Sequence, residues 1–110
     1  MMHESAALDR MFQALSDRSR RGMVDRLGHG PASVSELAEP LTMALPTVMK
    51  HLAVLEKSGL VHSEKSGRVR TYHLRKDALE QLEHWLAAHK AGFNKAFDRL
   101  EQFLADEQSE

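Results

Sequence analysis

Residues 33–74 read SVSELAEPLTMALPTVMKHLAVLEKSGLVHSEKSGRVRTYHL, and the fold turns on how this stretch divides. Ser33 and Glu36 have the spacing at which each side chain satisfies the other residue's free backbone N–H. Val34, Leu37, Ala38 and Leu41 then share one stripe, so a short helix is predicted. Pro40 pushes Glu39 away from helical angles, which places a turn within 40–44 and a longer helix from about Leu45-Pro46, where proline suits the first helical turn. Val48, Leu52 and Leu55 fall at i, i+4 and i+7 and commit one face of that helix to the core, leaving Thr47, Lys50, His51 and Val54 directed elsewhere. Gly59 supplies a left-handed stop, and 60–65 and 68–74 read as two strands around a two-residue Ser66-Gly67 turn.

Short helix, tight turn, longer helix and hairpin, in that order, make a winged helix-turn-helix, with the two helices over about 34–58 and the wing over about 60–74. Upstream, Ser5 is expected to cap a first helix through Leu8, Met11, Phe12 and Leu15. Ser16-Asp17 stops it and caps a second helix that buries Met23, Val24 and Leu27, ends at Gly28 and leaves Arg20, Arg21 and Arg26 in solvent. Downstream, Leu79, Leu82, Leu86, Phe93, Phe97, Leu100 and Leu104 recur every three or four residues, which predicts one helix over about 77–105, about 40 Å long, ahead of a frayed acidic tail from Asp106. So small a domain cannot cover that stripe from within. A second copy is its natural cover, through Leu8 and Phe12 of the first helix and Leu82, Leu86, Phe93, Phe97 and Leu100 of the last. The expected fold is thus mainly α, a single domain over 1–110 with about five helices and two antiparallel strands.

A net charge of −1 over 110 residues hides a strong asymmetry. Residues 44–76 hold seven Lys or Arg against two acids, residues 77–110 hold three against eight, and residues 1–43 hold five against six, so the central segment is the one suited to a polyanion. The absence of cysteine excludes disulfides, thiolate metal sites and cysteine nucleophiles. No apolar run approaches the ~20 residues of a membrane span and no secretory pattern opens the chain, so a cytoplasmic protein is expected. Ser16, Ser19, Ser58 and Ser66 stand at caps and turns without a matched base, and no glycine-rich phosphate loop is present, so neither an enzyme nor a cofactor is expected.

Thr47, Lys50 and His51, with Leu45 and Pro46 at the helix start, are the candidates for double-stranded DNA, because a helix can place hydrogen-bonding side chains on the floor of a major groove. Lys65, Arg68 and Arg70 are the candidates for phosphates, with Arg68 and Arg70 expected to lean to the same side by strand alternation. The plainer readings are a solvated helix face and edge-strand charges that deter aggregation. Trp85, Phe93, Phe97 and Phe103 read as subunit interface rather than ligand pocket. Glu80 and His84, four apart, read either as half a metal site or as an exposed pair.

The chain resembles the ArsR/SmtB family of winged-helix repressors along nearly its whole length. The resemblance lies in Phe12-Gln-Ala-Leu-Ser-Asp17, Arg20-Arg21, Glu36-Leu-Ala38, Leu45-Pro-Thr-Val48, Lys50-His-Leu52, Leu55 to Val61 and Gly67-Arg-Val-Arg-Thr-Tyr72. It implies a homodimeric repressor on a pseudo-palindromic operator. Four positions depart from the common pattern: Arg18, Thr42, Ala44 and Met49. Ala44 in place of a capping serine costs about 1 kcal/mol and frees helix N–H groups for a phosphate. The family's metal sensors use cysteines on the third helix or paired ligands on the last. The former are absent, and His84 and His89 stand five apart on different faces, so no metal site is expected. A metal- or small-molecule-responsive derepressor acting through the last helix and a winged helix for protein contact are the alternatives. These residues do not specify an inducer.

Overall fold

The computed structural model describes residues 2–108, and in them α1 (Met2–Ala14), α2 (Arg18–Leu27), β1 (Ala32–Ser33), α3 (Val34–Ala38), α4 (Leu45–Lys57), β2 (Val61–Ser66), β3 (Val69–Leu74) and α5 (Lys76–Gln108) follow in order. Two compact units result, one up to Leu79 and one from Glu80 onward.

Side-chain caps set the starts of α2 and α3. Helix α1 begins at Met2, ahead of Ser5, so Ser5 stands inside the helix and not at its cap. Asp17 caps α2, its carboxylate accepting from the Arg20 N–H at 3.0 Å. At α3 the reciprocal cap forms in full: the Glu36 N–H donates to Ser33 Oγ at 3.2 Å and the Ser33 N–H to Glu36 Oε1 at 3.1 Å. The helix stops at Ala38, and Leu41 lies beyond it, its N–H returning to the Ala38 carbonyl. After α4, the Ser58 hydroxyl donates to the Leu55 carbonyl at 2.7 Å and accepts from the Leu60 N–H, and Gly59 takes the expected positive φ of 85°.

Of the three arginines expected in solvent, Arg21 is exposed while Arg20 and Arg26 are partly buried, and all three bond backbone carbonyls. Arg20 Nε and Nη2 donate to the carbonyls of Ala14 and Gln13, Arg21 Nη1 to that of Leu15, and Arg26 Nη1 to that of Gly30. The last carbonyls of a helix have no partner within it, and the next helix supplies donors for those of α1.

The sheet has three antiparallel strands in the order β1-β3-β2, one more than the hairpin anticipated from sequence. Ala32 and Ser33 pair with Tyr72 and Thr71, a segment too short for alternation to reveal. In the hairpin Ser66 pairs with Val69, so the turn is Gly67-Arg68, one residue later than Ser66-Gly67. The shift gives the positive φ, 62°, to the glycine alone and leaves Arg68 at negative φ, the pattern of a type II′ turn; a turn at Ser66-Gly67 with both φ values positive would strain serine.

The core of the first unit centres on α4, whose Val48, Leu52 and Leu55 are completely buried, with Met11 and Ala14 of α1, Leu37 of α3 and Val61 and Tyr72 of the hairpin. The second unit is the run of α5 beyond Leu79. The helix carries on through Asp106 to Gln108, so the tail expected from Asp106 is helical over those residues; positions 109–110 lie outside the described residues. At 33 residues α5 is about 50 Å long. Leu86, Phe93, Phe97, Leu100 and Phe103 stand exposed along it, Phe97 at 62%. Leu82 is the exception among the expected interface residues: it is buried, at 9% exposure, on the same face as buried Ala78 one turn earlier. No described helix is long and apolar enough to cross a membrane.

Candidate nucleic-acid interface

Because Val48, Leu52 and Leu55 fix the inward side of α4, its outward side follows from helix geometry: Pro46, Lys50, Ala53 and Lys57 point most directly away, with Thr47 and Val54 flanking them, and all six are exposed. Leu45, at the helix start, is 57% exposed. Thr47 and Lys50 form no side-chain hydrogen bond or ion pair among the described residues.

His51 does not join that row. It sits only about 60° around the helix from Val48, so it turns toward the core edge. There its Nδ1 lies 3.1 Å from Arg20 Nη1 and 3.9 Å from Asp17 Oδ1, and its side chain is only 17% exposed. Its role is to seat α4 against the start of α2. The Asp17 carboxyl is held below its usual range by the Arg20 backbone N–H first, with smaller help from the charges of His51 and Arg20.

At the start of α4, Ala44 provides no side-chain cap. The donors this frees are few, however. Pro46 has none, and the N–H groups of Thr47 and Val48 both reach the Ala44 carbonyl, at 3.0 and 3.1 Å, which leaves Leu45 as the donor available to a phosphate.

On the hairpin, Lys65 pairs with Arg70 across the strands, and Arg68 occupies the turn. All three are exposed. Strand alternation therefore sets the direction of Arg70 but not that of Arg68. Arg70 is also anchored: Nη1 donates to Ser63 Oγ at 2.8 Å, and that hydroxyl donates to both carboxylate oxygens of Glu56 on α4, at 3.1 and 3.3 Å. This chain of bonds fixes the wing relative to the helix whose outward face bears Lys50. Nothing in the sequence marks Glu56 or Ser63 for it, since the three residues meet only when β2 folds back over α4. Tyr72 packs the wing base, 3% exposed, and burial, then the Glu56 charge, pushes its phenol up.

On α5, His89 Nδ1 lies 2.9 Å from the Trp85 carbonyl and its ring stacks on Trp85. Among the described residues, neither Glu80, His84 nor His89 belongs to a group of three metal-ligating side chains; one such group lies on the wing, where His62 and His73, eleven residues apart in the sequence, meet across the strands beside Glu64.

Residues 15–64 match the family of helix-turn-helix domains. The HTH-type transcriptional regulator Rv2034 of Mycobacterium tuberculosis is 45% identical over 74 residues, covering 67% of this chain and 69% of its own. Among solved structures, that of the ArsR family transcriptional regulator RHA00566 superimposes with a TM-score of 0.77 at 46% identity, over 82% of this chain and 93% of the other. The homodimeric winged helix-turn-helix DNA-binding domain of Mb0332 from Mycobacterium bovis does so with a TM-score of 0.64 at 25% identity, over 78% of this chain and 82% of the other.

Proposed function

The chain belongs to the ArsR family of winged helix-turn-helix, DNA-binding transcriptional regulators, and on that premise we propose that it is a cytoplasmic homodimeric repressor in which paired α4 helices enter successive major grooves of a pseudo-palindromic operator. The observation that carries this reading is the outward face of α4, where Lys50 and Thr47 stand exposed opposite a fully buried stripe. Lys50 reaches guanine O6 or N7 and Thr47 a base edge or phosphate, while Leu45 and Pro46 meet the groove wall. Lys65, Arg68 and Arg70 hold the flanking backbone, Arg70 from a position set by Ser63 and Glu56. Bound across a promoter, the dimer denies the site to polymerase.

Dimerisation follows from the exposed apolar face of α5, through Leu86, Phe93, Phe97 and Leu100, with Phe12 and half-buried Leu8 of α1. Two copies are also what a palindrome requires, its half-sites being about 34–36 Å apart. The test is selection from a random duplex library followed by a salt titration on the selected site. An inverted repeat is expected, with affinity falling about a thousandfold or more between 50 and 200 mM salt for roughly 6–10 phosphate contacts. A direct or single half-site, or a flat titration, refutes it.

A further inference from the structure

The hairpin has a second face, turned away from Tyr72 and Arg70. Strand alternation puts His62 and Glu64 together on it, and the register places His73 directly across from His62. The two imidazoles stack, their centroids 5.0 Å apart and their planes 11° from parallel. His62 Nε2 lies 3.9 Å from Glu64 Oε1, and one donor atom from each of the three residues falls within 4.8 Å of the others.

Donors bound to one tetrahedral zinc at about 2.0–2.2 Å stand about 3.3–3.6 Å from each other, so the three must close in by about 1 Å. Side-chain rotation suffices for this: His62 and Glu64 are 44% and 72% exposed, while the ladder holds their Cα positions in register. Two nitrogen donors and one carboxylate, with no cysteine in the chain to supply a thiolate, suit a borderline first-row divalent ion.

We infer that His62, Glu64 and His73 form a cross-strand binding site for a divalent transition-metal ion of the Zn2+ class, with water completing the tetrahedron. The ion ties β2 to β3 on the face opposite the Arg70–Ser63–Glu56 chain. Neither its ligands nor its test involves DNA.

Calorimetric titration of the full chain with ZnCl2, paralleled by visible absorption with CoCl2, tests the site. Wild-type protein is expected to take up one ion per chain with an intense tetrahedral Co2+ spectrum. The double variant His62→Ala/His73→Ala should weaken binding at least about tenfold and lose the spectrum, whereas His84→Ala/His89→Ala should retain both. Imidazole NMR resonances give a readout independent of any variant's folding: Zn2+ must shift those of His62 and His73 before any others. No Zn2+ binding by wild type, binding unaffected in the His62/His73 variant, or first shifts at other histidines overturns the inference.

Discussion

Arg20→Ala tests whether the start of α2 holds both its neighbours in place. The guanidinium makes one short, part-buried bond to the Ala14 carbonyl at 2.6 Å, a part-buried contact of 3.1 Å to His51 and an exposed bond of 3.2 Å to the Gln13 carbonyl. A charge-assisted bond out of full solvent contributes about 1.5–2 kcal/mol, the histidine contact about 0.5 and the exposed bond less, giving about 2–3 kcal/mol in all. Urea unfolding at fixed protein concentration should show the midpoint falling with the slope unchanged. Arg21→Ala is the internal control, since its single exposed bond to the Leu15 carbonyl should contribute no more than about 0.5–1 kcal/mol. If Arg20→Ala costs less than about 0.5 kcal/mol, or no more than Arg21→Ala, the bonds to α1 and α4 do not stabilise the fold as described.

Lys50→Ala should flatten preference among duplex sequences, whereas Arg68→Ala, removing one phosphate contact from each subunit, should weaken all duplexes alike and lower the salt slope by about two; quantitative band-shift assays on specific and scrambled sites separate the two, and the reverse pattern inverts the assignment. Replacing both Leu86 and Phe97, each more than half exposed, with glutamate should give monomers by sedimentation with the winged unit still folded by circular dichroism; persistent dimers place the interface elsewhere. Glu36 and Asp77, like Asp17, are held below their usual range, Glu36 by the Ser33 N–H first and Asp77 by the Arg75 side chain first. Stability from these depressed carboxylates is present above their unfolded-state values and is lost as pH falls from ~4 through the folded-state values, so an unfolding midpoint equal at pH 3 and pH 7 contradicts it.

How legible each element was depended on how local its cause is. The α3 cap needs only Ser33 and Glu36 three residues apart, the α4 core face only the spacing of Val48, Leu52 and Leu55, and the stop at Gly59 only a glycine after an apolar run. The contacts without a sequence signal are those between distant segments. β1 exists because Ala32 and Ser33 reach Tyr72 and Thr71, forty and thirty-eight residues on, and Arg20 and Arg21 are occupied because α1 ends beside them. His51 lies off the Val48–Leu52–Leu55 stripe as Lys50 does, but one residue is about 100° of helix, enough to move a side chain from the outward face to the core edge. The turn sits one residue later than strand lengths alone indicate because Gly67 must take the positive φ. Leu82 belongs to the same repeat as Leu86, and periodicity alone cannot say where along one stripe burial ends.

Trp85 is the chain's one tryptophan, and along α5 its ring meets His89, 4.3 Å away between centroids, which in turn faces Phe93 at 6.1 Å. Indole emission responds both to a neighbouring imidazole and to the polarity around it. The protein therefore carries its own optical reporter on the very helix assigned to self-association, and dilution, partner exchange or ligand arrival can be followed from that fluorescence without attaching a dye.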